Sequence, residues 1–84
     1  MVYYLVKKTY TAKEGNKSYP EGTKKVYYCG KNGFSNDDIR DYWVKWYGYK
    51  RLCDAKRNWN FNCEDISERF WNIELEIVTW EVET

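Results

Sequence analysis

Hydrophobic and polar positions alternate most strictly toward the end of the chain. Ile73, Leu75 and Ile77 alternate with Glu74 and Glu76, and then Val78, Trp80 and Val82 alternate with Thr79, Glu81 and Glu83. That period of two predicts a half-buried strand over 70–83. Its phase changes once, at Ile77-Val78. A β-bulge is the expected cause, because a one-residue slip otherwise turns every later side chain to the wrong face.

The N-terminal stretch from Val2 to Tyr10 is rich in β-branched and aromatic residues, with Val2, Tyr4 and Val6 on one face and Tyr3 and Leu5 on the other. Residues 11–22 collect two Gly, the only Pro and several polar residues, which predicts a long loop, mobile unless something anchors it. A second strand follows over Thr23 to Cys29, and Gly30-Lys31-Asn32-Gly33 ends it in a turn. The first two strands should form an antiparallel hairpin.

Helical signals occupy the middle of the chain. In Phe34-Ser35-Asn36-Asp37-Asp38-Ile39, Ser35 is placed to cap a helix, Asp38 to reach back to the cap, and Phe34 and Ile39 to form a hydrophobic staple. Ile39, Tyr42, Trp43, Trp46 and Tyr47 then recur at helical spacing, a stripe expected to face the sheet, with Gly48 as the stop. Leu52, Ala55 and Trp59 continue that spacing and predict a second short helix over about 49–59. Asn58 to Cys63 fits either a fraying helix end or a short strand, and Glu64 to Arg69 has the composition of a single helical turn.

These elements predict an α+β fold in the order β-β-α-α-β, a three-stranded sheet with two short helices packed on one face, as a single domain over 1–84. The last strand is expected at the centre, beside the first strand and parallel to it, with Lys7 and Lys8 in reach of its glutamates. So small a sheet leaves one face thinly covered, with Tyr3, Tyr10, Tyr27 or Trp71 on it.

Composition changes this picture in two ways. Aromatics make up 20% of the residues, including nine Tyr and five Trp, so a few large side chains can build a small core or anchor an interface. Net charge is only +1, yet residues 1–31 carry seven Lys against Glu14 and Glu21, while residues 64–84 carry Arg69 against seven acids. Cross-strand pairing between a basic hairpin and an acidic last strand accounts for that split. A basic half also fits nucleic acid.

Other classes have little to stand on. The chain shows no apolar run near 18 residues and no leader pattern, so a cytoplasmic protein without membrane contact is expected. Cys29, Cys53 and Cys63 are odd in number and lack C-x-x-C spacing, and there is no His to complete a zinc set; reduced thiols, no metal and no cofactor are expected. Without His the usual general base is missing, and Gly30-Lys31-Asn32-Gly33 lacks the spacing of a phosphate-binding loop. Asp37 and Asp38 read as a helix start, and enzyme activity is not expected.

The stretch with functional content is 43–59, where Trp43, Trp46, Tyr47, Tyr49 and Trp59 interleave with Lys45, Lys50, Arg51, Lys56 and Arg57. Aromatics that stack on bases beside cations that meet phosphates would bind nucleic acid, although the helical stripe assigns Trp43, Trp46 and Tyr47 to the core. The runs Tyr47-Gly48-Tyr49-Lys50-Arg51, Asp54-Ala55-Lys56-Arg57, Phe70-Trp71 and Glu74 to Val78 resemble small accessory proteins encoded by phages and mobile elements of AT-rich bacteria. That resemblance implies action without catalysis, by binding and blocking a host factor; the class includes anti-defence inhibitors such as anti-CRISPR proteins. The expected function is therefore that of a non-enzymatic inhibitor acting on a host bacterial protein by direct contact, including an effector that itself holds nucleic acid. Tyr49, Lys50, Arg51, Lys56, Arg57, Trp59 and Trp71 are the partner-binding candidates. The alternatives are a small nucleic-acid-binding domain using the basic aromatic helix, and a self-associating subunit such as a homodimer.

Overall fold

In a computed structural model, which describes residues 1–57 and 69–83, the chain forms β1 (Val2–Ala12), β2 (Lys24–Cys29), a short 3-10 turn (Lys31–Gly33), β3 (Ser35–Asn36), α1 (Asp41–Tyr47), α2 (Leu52–Arg57) and β4 (Trp71–Glu81). Among the described residues the architecture is α+β with an antiparallel sheet and two helices, and the sheet has four strands rather than three, in the order β3-β2-β1-β4. The expectations for 58–68, including Trp59 and Cys63, lie outside the described residues.

The predicted hairpin is present, with Val6 opposite Cys29 and Thr11 opposite Lys24. Its loop is anchored. The Asn16 side-chain amide donates to Phe70 O at 3.2 Å, and Asn16 Oδ1 accepts from the backbone N–H groups of Ser18 and Tyr19. The turn after β2 needs left-handed backbone, supplied by Asn32 at φ 59° and Gly33 at φ 74°.

The last strand departs from expectation in three respects. β4 is an edge strand, β1 occupies the centre, and the two run antiparallel. Their register is unbroken from Val2 opposite Glu81 to Ala12 opposite Trp71, so no bulge exists at Ile77-Val78. Instead the doublet Leu5-Val6 of β1 lies directly across from Val78-Ile77. Both strands therefore change their apolar face at the same rung. Below it Tyr3, Leu5, Val78 and Trp80 share one face; above it Val6, Lys8, Ala12, Ile77, Leu75, Ile73 and Trp71 share the other. Of the expected charge pairs, Lys7 stands opposite Glu76, while Glu74 faces Thr9 and Glu81 faces Val2.

The first of those faces holds the core. Tyr3, Leu5, Val44 and Val82 are buried together, with Tyr28, Ile39, Val78 and Trp80 packed around them. On the second face Tyr10 meets Tyr27 and Trp71 edge to face, at 5.5 and 6.1 Å between ring centroids. Tyr3 belongs to the core and is not on an open face; Tyr10, Tyr27 and Trp71 are half-buried.

The predicted cap is also replaced. Ser35 and Asn36 pair with Cys29 and Tyr28 as β3, Asn36 Oδ1 accepts from the Asp38 N–H, and the helix begins at Asp41 after an extended Arg40 with no side-chain cap. Pairing with the exposed end of β2 satisfies two strands' backbone groups at once, which a lone cap does not. Phe34, the expected staple, stacks instead on Tyr47 with centroids 4.5 Å apart. Ser35→Ala is thus expected to change stability by no more than about 0.5 kcal/mol, as at an ordinary surface site; a loss near 1 kcal/mol in urea denaturation would restore the cap.

Candidate functional site

α1 is tied down at both ends. The Trp80 indole N–H donates to Asp41 Oδ1 at 2.8 Å, fixing the first turn to β4, and the Gly48 N–H donates to Val44 O at 2.8 Å, closing the last. Tyr49 then re-enters the plane of the sheet, exchanging both backbone hydrogen bonds with Tyr4 at 2.7 and 2.8 Å. Its hydroxyl donates to Gly30 O.

These ties set the rotation of α1, and it is not the rotation that the aromatic stripe predicts. Val44 is the buried residue of the helix. Tyr42 and Trp46, one turn apart, are 62% and 64% exposed. Trp43 and Tyr47 form the neighbouring row, half-buried and stacked with Phe34, and Tyr42 meets Trp43 edge to face. The helix thus presents an aromatic surface with two large rings outward and a stacked layer behind them. Sequence reasoning assigned Trp46 to the core; the available signal was that Val44 is the only aliphatic residue in the helix, 130° or so around from the centre of the stripe at about 100° per residue.

The partner-binding candidates divide. Tyr49 is 5% exposed and serves the fold. Lys50, Arg51, Lys56 and Arg57 are exposed, but Asp54 draws on two of them: Arg51 Nε lies 3.0 Å and Arg57 Nη1 3.9 Å from its carboxylate. The hydrogen bond that Arg51 donates to Asp54 also raises the Arg51 pKa above its ordinary value. Lys50, Tyr49 and Asp54 line a cleft of about 360 Å³ with Lys31 and Asn32 of the preceding turn. Trp59 lies outside the described residues. Trp71 is at the other end of the sheet: it pairs with Ala12 whereas Tyr49 pairs with Tyr4, a separation of roughly 27 Å at about 3.4 Å per residue.

A second cleft, of about 350 Å³, opens beside Trp71 and is lined by Asn16, Lys17, Ser18, Tyr19 and Phe70. Tyr19 packs on Trp71 with centroids 5.4 Å apart and carries the Lys25 ammonium over its ring at 4.2 Å. The hydrogen bond to the Tyr19 hydroxyl raises the Lys25 pKa.

Comparison with family models, with curated proteins and with solved structures finds no match to this chain. Among the described residues no three potential metal ligands cluster, and no helix is long and apolar enough to cross a membrane. Cys53 is exposed, while Cys29 is buried with its thiol against Ser35 Oγ, and burial pushes its pKa up.

Proposed function

We propose that the protein is a non-catalytic binding protein that acts by direct contact with another protein, through the aromatic surface of α1. The observation that carries this reading is the exposure of Tyr42 and Trp46 at 62% and 64%. Large rings held outward on a helix anchored at both ends are preorganised, so little ordering entropy is lost on docking, and Trp and Tyr are the residues that most often dominate interface energies. Lys45, exposed on the same helix, adds a basic group to this surface.

The resemblance to accessory proteins of phages and mobile elements makes a host bacterial protein the partner, and inhibition of a defence system, of the anti-CRISPR kind, the activity. A nucleic-acid interface on the 49–57 stretch has weaker support, because Asp54 engages Arg51 and Arg57 and shares a cleft with Lys50. Self-association has no specific observation in its favour.

The deciding experiment compares wild type with a Tyr42→Ala/Trp46→Ala variant in affinity capture from a lysate of a host bacterium. The variant should keep its melting temperature, since both rings face solvent, and lose the captured protein, because truncating an interface anchor costs about 2 kcal/mol or more, roughly 30-fold in affinity. Equal capture by the folded variant would sink the reading. An oligonucleotide bound at low salt and released steeply as salt rises would put nucleic acid in its place.

A further inference from the structure

We infer that the outer edge of β4 accepts an extended protein segment as a fifth strand, and that the segment it fits alternates aliphatic with basic residues. Among the described residues β4 has a strand neighbour on one side only, β1. The direction of its remaining backbone groups follows from the register. Tyr4 exchanges its backbone hydrogen bonds with Tyr49, on the side away from β4. Odd-numbered residues of β1 are therefore the ones bonded to β4, and their partners are Asn72, Glu74, Glu76, Val78 and Trp80. The intervening residues, Ile73, Leu75 and Ile77 among them, turn their N–H and C=O groups outward. That is the template an added strand uses.

Side chains define what kind of strand. Ile73, Leu75 and Ile77 are half-buried on one face, while Glu74 and Glu76 are exposed on the other. A strand laid against them sets its own residues opposite these, alternately apolar and acidic along some five positions. Its best complement has aliphatic side chains against the first set and Lys or Arg against the second.

The same acids disfavour a second copy of β4 across the stretch that offers the aliphatic row. Any antiparallel pairing of two such edges centred on residues 74–76 sets glutamate against glutamate, which is destabilising. Charge on an edge strand is a common guard against self-pairing, and here the guard leaves a basic partner as the favoured one. This surface is separate from the aromatic face of α1, so each can fail without the other.

The test uses the full chain and labelled seven-residue peptides of alternating valine and lysine. Fluorescence anisotropy should show saturable binding to the lysine peptide, weakened about tenfold when glutamate replaces lysine or when the alternate amides facing the protein are N-methylated, and amide exchange at Ile73, Leu75 and Ile77 should slow. A Glu74→Lys/Glu76→Lys variant should prefer the glutamate peptide, and the Tyr42→Ala/Trp46→Ala variant should bind as wild type does. Binding indifferent to N-methylation, or no binding at millimolar peptide, would overturn the inference, as would unchanged exchange at the three amides.

Discussion

Leu5→Ala is expected to destabilise the protein by about 2 to 5 kcal/mol, the range for truncating a buried aliphatic side chain and leaving a cavity. Leu5 has no exposed surface, sits on the central strand and packs among Tyr3, Val44 and Val82. Its environment is made of one helix and two strands, so no single element can collapse into the space. For a domain of this size each kcal/mol moves the melting temperature by about 4 to 8 °C, and a fall of about 8 °C or more should be seen by circular dichroism. The contrast is with Trp46→Ala. It removes more than twice as many atoms, yet should cost no more than about 0.5 kcal/mol, because the ring faces solvent. A larger loss for Trp46→Ala than for Leu5→Ala would mean that α1 is rotated to bury its aromatic stripe.

Gly30→Ala should cost about 3 kcal/mol, at the upper end for overpacking. Gly30 has φ −138° and ψ −156°, an extended conformation open to any residue, so the requirement for glycine is one of space. A methyl group here would fall on the carbonyl oxygen of Tyr47, with the carbonyl carbon 2.9 Å away. Both are backbone atoms at the end of α1, and neither can rotate aside. Relief requires moving the helix end away from the end of β2, which also disturbs the hydrogen bond from the Tyr49 hydroxyl to Gly30 O. Urea denaturation reads this directly; a loss below 1 kcal/mol would show that the two elements do not approach so closely.

Much of the fold is legible in the chain. Period-two patterning located β1, β2 and β4 to within a few residues, the glycines located the turn at 30–33, and Gly48 marked the end of α1. The errors share one physical origin. Ser35 has the local chemistry of a cap, but pairing with β2 satisfies more backbone groups. The doublet Ile77-Val78 reads as a bulge along one strand; only its matching doublet in β1, across an unbroken register, shows that both strands change face together.

The candidate site was less legible for a related reason. Helical spacing groups Tyr42, Trp43, Trp46 and Tyr47 on one side and is silent on which side meets the sheet. The anchors of α1, Asp41 to Trp80 and Tyr49 to Tyr4, are 39 and 45 residues apart in sequence, and they turn the helix so that Val44 faces inward. Of the basic residues, Arg51 and Arg57 stand three positions to either side of Asp54, so their pairing with it is local to the helix.

The sequence by itself determined the α+β fold class, the three long strands, the turn at 30–33 and the presence of two helices, because alternation, glycine and helical spacing act over a few residues. Strand order, the shared change of face in β1 and β4, and the outward turn of Tyr42 and Trp46 were decided by tertiary structure alone. Each depends on which distant backbone groups and side chains meet; of the three, only the turn of α1 has a local hint, its single aliphatic residue Val44.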